Sequence, residues 1–150
     1  MLHLTRTSSD SADFRGLVHL LDQDLQVRDG AEHTFYAQFN KVDAIRHVVV
    51  AYLGDEPVGC GAFKEFTNEL VEIKRMFVHP AHRGQGIAQA TLTELEQWAQ
   101  TLHYRGCVLE TGKKQPEAIA LYQKSGYQRI PNYGQYIGVE NSVCMQKSLT

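Results

Sequence analysis

At 150 residues the chain has the length of one ordinary domain. A chain of that size buries roughly 70% of the surface its unfolded form exposes and needs no disulfide or metal to hold it together. Its 43% hydrophobic and 21% charged residues exclude a disordered, collagen-like or coiled-coil chain, and 15 Lys+Arg against 17 Asp+Glu leave no basic surplus for a nucleic-acid backbone. No apolar run approaches the roughly 20 residues that cross a bilayer, so no membrane partner is expected. The first residues lack the charged head and apolar core of a signal peptide. Cys60, Cys107 and Cys144 each have small or apolar neighbours and read as buried thiols. A cytoplasmic location is expected.

No repeat, low-complexity tract or linker interrupts the sequence, so a single domain over 1–150 is expected. Leu2 to Thr7 reads as a short strand. Ser8, Ser9 and Asp10 offer capping side chains to a helix whose apolar residues Phe14, Leu17, Val18, Leu21 and Leu25 recur every three or four positions until Arg28-Asp29-Gly30. Ala31 to Lys41 is mixed and aromatic, either a short second helix or an ordered loop. The valine-rich stretch His47 to Leu53, Gly54-Asp55, and the extended pattern from Pro57 to Phe66 describe a hairpin, and Leu70 to Val78 a third strand. Gly84 to Leu102 is the longest predicted helix, with Ile87, Thr91, Leu95, Trp98 and Leu102 on one face. A strand from Tyr104 to Thr111, a helix from Gln115 to Ser125 stopped by Gly126, and extended stretches at Tyr127 to Ile130 and Ser142 to Lys147 complete the chain. This order predicts an α/β protein: a mixed sheet with helices on its faces.

The most informative stretch is Val78-His79-Pro80-Ala81-His82-Arg83-Gly84-Gln85-Gly86-Ile87-Ala88, between a predicted strand and the long helix. Two glycines at a helix start let the backbone come close to a ligand, and the first helical N–H groups have no partner within the helix. The helix dipole favours an anion there, and Arg83 adds a positive charge at the rim. A dinucleotide fingerprint fails because Gln89 stands where a third glycine is needed, and no Gly-Lys-Ser/Thr follows for a nucleotide-triphosphate loop. His79 and His82 alone lack the ligands for zinc, so no metal is expected.

These residues resemble the acetyl-CoA signature Arg/Gln-x-x-Gly-x-Gly/Ala of the GNAT superfamily of N-acetyltransferases, with Arg83, Gly86 and Ala88 at the matching positions. Glu72 to Val78 looks like the fourth strand of that family, and Leu121-Tyr122-Gln123-Lys124-Ser125-Gly126-Tyr127 like its later helix and Gly-Tyr/Phe step. The likeness runs in order from about Val48 to Ile130. It implies a mainly antiparallel mixed sheet with helices on both faces, whose central strands splay to form a CoA cleft. It further implies that Arg83, Gly84, Gln85, Gly86, Ile87 and Ala88 hold the pyrophosphate of acetyl-CoA, while Met76, Phe77 and Val78 line the pantetheine arm. Thr111, where the fifth predicted strand gives way to a loop, reads either as a contact to the pantetheine or the acceptor or as a helix cap or turn residue.

By the same resemblance Tyr122 is the general acid that protonates the leaving thiolate, although its spacing to Ala118, Ile119 and Ser125 also suits the buried face of a helix. Glu72 is the candidate base for the acceptor amine, directly or through water; it also reads as a solvent-facing strand residue. His33, Tyr36, Arg75 and Tyr133, together with Phe39, Arg129, Asn132 and Tyr136, offer walls and donors for a small polar acceptor. The expected activity is transfer of acetyl from acetyl-CoA to a primary amine of a small molecule by direct attack in a ternary complex. A peptide or protein acceptor and a non-catalytic acyl-CoA sensor are the alternatives, and a homodimer is left open.

Overall fold

The computed structural model describes residues 1–30 and 44–150. The chain opens with β1 (Leu2–Thr7) and α1 (Ala12–Asp29), then runs through β2 (His47–Leu53), β3 (Glu56–Glu65) and β4 (Leu70–Val78). It continues with α2 (Ile87–Thr101), β5 (Gly106–Gly112), α3 (Pro116–Lys124), β6 (Gln128–Ile130) and β7 (Ser142–Ser148). The seven strands form one sheet in the order β1-β2-β3-β4-β5-β7-β6, antiparallel except between β4 and β5. No described helix is long and apolar enough to cross a membrane.

Side chains alternate between the two faces of a strand, and here both faces are covered. Val48 and Val50 pack with Phe14, Leu17, Val18 and Leu21 of α1, whereas Val49 packs with Leu92, Leu95 and Ala99 of α2. A strand buried on both sides reads as a continuous apolar run, which is why His47–Leu53 carries three valines in succession. α3 lies on the α2 side, its Tyr122 in the same cluster as Leu109, Tyr127, Val143 and Met145. Helices on both faces of a mixed sheet are thus found as expected.

The parallel contact between β4 and β5 is short. It consists of Leu70↔Gly106, Val71↔Cys107 and Glu72↔Val108, after which the strands diverge. β5 then pairs along its whole length with β7, from Gly106↔Ser148 to Gly112↔Ser142, so the second half of β4 faces a gap. A register shift between Cys60 and Ala62 marks a bulge in the β3–β4 ladder, and opposite it Arg75 has φ of 61°, uncommon for a residue with a side chain. Gly61 is needed at this point. A Cβ there would collide with Met76 Sδ and lie 2.8 Å from Leu95 Cδ1, so glycine lets α2 settle onto the bulged ladder.

Two predicted boundaries shift for local reasons. The long helix starts at Ile87 rather than Gly84 because Gly84 and Gly86 both have φ of 80°, a left-handed conformation that cannot continue into α-helix. At its other end Leu102 is 41% exposed, and the buried face is completed by Leu92, Glu96 and Ala99. Glu96 can be buried because it accepts from the Tyr127 hydroxyl at 2.8 Å and from Lys147 Nζ at 2.9 Å. Trp98, on the same predicted face, is half-buried with the Arg6 guanidinium 5.0 Å above its ring. All three cysteines are buried thiols, as their neighbours suggest.

Candidate active site

The divergence of β4 from β5 opens two cavities that meet. The larger, about 460 Å³, is walled by Met76, Phe77 and Val78 of β4, by Arg83, Gly84, Gly86, Ile87 and Ala88 at the start of α2, and by Gln115, Ala118, Leu121 and Tyr122 of α3. The smaller, about 110 Å³, is lined by Glu72, Lys74 and Arg75 of β4, by Glu110, Thr111 and Gly112 of β5, and by Tyr136. Leu21, Met76, Gln115, Ala118 and Tyr122 line both, which makes them the junction.

In the larger cleft the glycines leave room for a ligand. A Cβ added at Gly84 or Gly86 would meet no atom within 4 Å. Ala90 N–H closes the first turn of α2 on Gly86 O at 3.0 Å, so the N–H groups of Ile87, Ala88 and Gln89 lack intrahelical acceptors. Arg83 is exposed at the rim of the cleft: its Nε donates to Val78 O at 3.0 Å, its guanidinium lies 5.6 Å from the Phe77 ring centroid, and its Nη2 is 3.9 Å from Asp24 Oδ2. Val78 O thus has one of its two acceptor positions taken by Arg83, while Val78 itself lines the cleft as expected. His79 N–H bonds to Val58 O on β3 at 2.8 Å, and strand alternation then turns the Met76 and Val78 N–H groups toward the gap. Gln85 is exposed and stands outside the cleft wall.

Across the mouth of this cleft Arg28 of α1 pairs with Glu117 of α3 and, at 3.2 Å, with Asp24. These three residues carried no sequence signal. Arg28 and Asp24 are four apart on a polar stripe that looks like any solvated helix face, and Glu117 comes beside them through the fold alone.

Tyr122 is 6% exposed, its ring 5.8 Å from that of Tyr127 in an edge-on contact. Burial, reinforced by the Glu110 carboxylate, pushes its phenol up from the ordinary tyrosine value. Tyr122 thus lies on the buried face of α3, and that face is also a wall of both cavities. Glu72 is not a solvent-facing strand residue. It is 5% exposed, and its Oε2 accepts from the Tyr133 hydroxyl at 2.8 Å. Burial and the neighbouring Glu72 raise the Tyr133 phenol, which keeps it a donor. Tyr133 itself is held against Phe66, 4.8 Å between centroids, and against Tyr136 at 5.9 Å. Burial lowers Lys74 from the usual lysine value, with Glu72 pulling the other way.

Of the remaining candidates, Thr111 and Arg75 line the smaller cavity and are both 6% exposed. Arg129 and Asn132 do not; they border a separate hollow beyond β6, where Asn132 Nδ2 ties Tyr136 O, Val139 O and Ser142 O together at 3.1 to 3.2 Å. His33, Tyr36 and Phe39 lie outside the described residues. Lys74 and Glu110 are the cavity residues that sequence reasoning missed. The signal existed for Lys74, which sits two positions after Glu72 and so shares its face. Among the described residues no group of three or more His, Cys, Asp or Glu is placed to hold a metal ion.

The sequence model of the Acetyltransferase (GNAT) family matches residues 14–127, and the chain belongs to that family of acetyl-transferring enzymes. The uncharacterised N-acetyltransferase YsnE of Bacillus subtilis is 36% identical over 101 residues, which are 66% of this chain and 67% of YsnE. A Klebsiella pneumoniae structure assigned to the acyl-CoA N-acyltransferases superposes with a TM-score of 0.83 at 28% identity, covering 100% of this chain and 99% of that one. The PaiA N-acetyltransferase of Thermoplasma acidophilum, solved in complex with coenzyme A, shares the fold at 14% identity with a TM-score of 0.73, over 99% of each chain.

Proposed function

We propose that the protein transfers the acetyl group of acetyl-CoA to a primary amine of a small molecule, by direct attack within a ternary complex. One observation carries this reading: Tyr122 and Met76 line both cavities, so a thioester at that junction would face a cofactor cleft on one side and an acceptor cavity on the other. The donor fits the larger cleft. Its pyrophosphate finds the open space over Gly84 and Gly86 and the free N–H groups of α2, while its pantetheine amides find the unpaired edge of β4. The acetyl group is what acetyl-CoA supplies.

The chain's own residues then divide the work. A β4 peptide N–H facing the gap polarises the thioester carbonyl. Glu72 takes the proton from the incoming ammonium, directly or through water, and Tyr133 fixes the carboxylate for that role. As the C–N bond forms and the C–S bond breaks, Tyr122 gives its phenolic proton to the departing thiolate. Direct attack is favoured over an acetylated enzyme because the three cysteines are buried and line neither cavity, and burial pushes the Cys60 and Cys107 thiols up to about 12, far from thiolate at neutral pH. The smaller cavity, at about 110 Å³, suits a compact amine better than a folded protein surface.

Thiol release with purified protein, acetyl-CoA and a panel of small amines and N-terminal or lysyl peptides tests the proposal. Turnover confined to small amines is the expected result. Turnover confined to peptides would move the acceptor class, and acetyl-CoA binding without release by any acceptor would make the chain a sensor.

A further inference from the structure

Arg75 stands out within the smaller cavity. Among the described residues only it and His103 have positive φ without being glycine, and Arg75 does so in the middle of the sheet. Positive φ costs any residue with a Cβ, so a bulky side chain held there is held for a reason. The conformation sends the side chain toward α1, where it is 3% exposed and its Nη1 donates to Asp22 Oδ1 at 3.0 Å. That is one contact to one carboxylate, and Asp22 is itself 46% exposed and shared with solvent. The second terminal nitrogen, Nη2, is buried and has no hydrogen-bond partner among the described residues. A guanidinium cannot shed its proton to escape this. The buried cation thus keeps a donor with no partner among the described residues, on a side chain that lines the smaller cavity.

The group that satisfies such a donor best is a planar anion with two oxygens, because a carboxylate matches the forked geometry of arginine. The rest of the wall is mixed in sign: Glu72 and Glu110 are anionic, Lys74 and Arg75 cationic. A plain alkylamine would answer the carboxylates and leave the cations as they are. A molecule carrying both an ammonium and a carboxylate would answer each sign with its opposite.

We propose that the acceptor is a small zwitterion, an amine bearing a carboxylate, and that Arg75 binds the carboxylate while the amine lies toward Glu72 and Tyr122. This rests on the acetyltransferase reading above and narrows its acceptor to a chemical class.

The test is a series of aminoalkanoates of increasing chain length, each assayed beside its carboxamide and the corresponding alkylamine, with kcat/KM expressed per concentration of free amine. At the best chain length the carboxylate should exceed both partners at least tenfold. In Arg75→Gly, a residue that suits φ of 61° and so spares the fold, the ratio of carboxylate to carboxamide should fall to near one. Arg75→Lys should keep part of it. If carboxamides and alkylamines are used as well as the carboxylates at every length, the inference is overturned while the acetyltransferase reading stands. A preference that survives in Arg75→Gly overturns the assignment to Arg75. Should that variant not fold, the wild-type series and Arg75→Lys still decide. Release of thiol with no member of any series, while acetyl-CoA binds, overturns the acetyltransferase reading and this inference with it.

Discussion

The Tyr122 phenol keeps its proton through the neutral range, because burial and Glu110 raise it above its already high ordinary value, and the proposed acid role draws on that proton. Tyr122→Phe keeps the ring that packs on Tyr127 and removes the proton. Turnover should fall by roughly 10² to 10⁴, the contribution of a positioned acid, with acetyl-CoA affinity and thermal midpoint unchanged; steady-state kinetics beside calorimetry check this. Glu72→Gln likewise keeps an acceptor for the Tyr133 hydroxyl while deleting the charge. Its kcat/KM should drop most near neutral pH, where the acceptor is ammonium, and recover partly as rising pH supplies free amine. A uniform loss at all pH values would assign Glu72 to binding the acceptor's charge instead. Both residues were singled out in the sequence through family resemblance, and the fold brings both to the walls of the smaller cavity. The burial of Glu72 was not, since a Glu-Ile-Lys alternation looks the same whether its polar face meets water or a lined cavity. Arg75 was visible as a candidate donor, but its positive φ comes from a bulge that involves β3 and α2 and has no local signature.

At the scale of elements, the site depends on two strands that part company. β4 and β5 share three residue pairs and then separate, because β5 is committed to β7 along its whole length while β4 follows β3 through a bulge. The sequence announces the elements on either side of this gap but not the gap, which is set by β4–β5 and β5–β7 pairings between residues at least 30 positions apart, as in Gly112↔Ser142. The start of α2 is the opposite case. Gly84 and Gly86 were readable as a backbone device, and their left-handed φ explains why the helix begins three residues later than periodicity suggests. Gly86→Val should place a branched side chain in the open space and strain the N-cap. Acetyl-CoA affinity should fall at least tenfold, about 1.4 kcal/mol, by isothermal titration. Unchanged affinity in a folded variant would remove the phosphate from this cradle.

The molecule as a whole stores its thiols and phenols in the neutral form, and that sets how its stability responds to alkali. Burial raises Cys60 and Cys107 from 9.0 to about 12, and Tyr122, Tyr127 and Tyr133 move upward too. A raised folded pKa means that the unfolded chain releases its proton first, so the stabilisation is intact below the unfolded value and is lost as pH climbs toward the folded one. Lys74, which burial lowers, acts in the opposite sense but is outnumbered by the raised thiols and phenols. Thermal midpoints should therefore decline steadily from about pH 9 toward about 12; a flat profile over that window would contradict the assigned burial. The central claim is a reaction in which both substrates occupy joined cavities at once, with Tyr122 at the seam. Initial velocities measured over a grid of acetyl-CoA and amine concentrations test it most directly. Double-reciprocal lines should intersect, and no acetyl group should remain on the protein when acetyl-CoA is supplied alone. Parallel lines together with an acetylated protein would show that acetyl passes through an enzyme residue first, and would contradict direct attack at the junction.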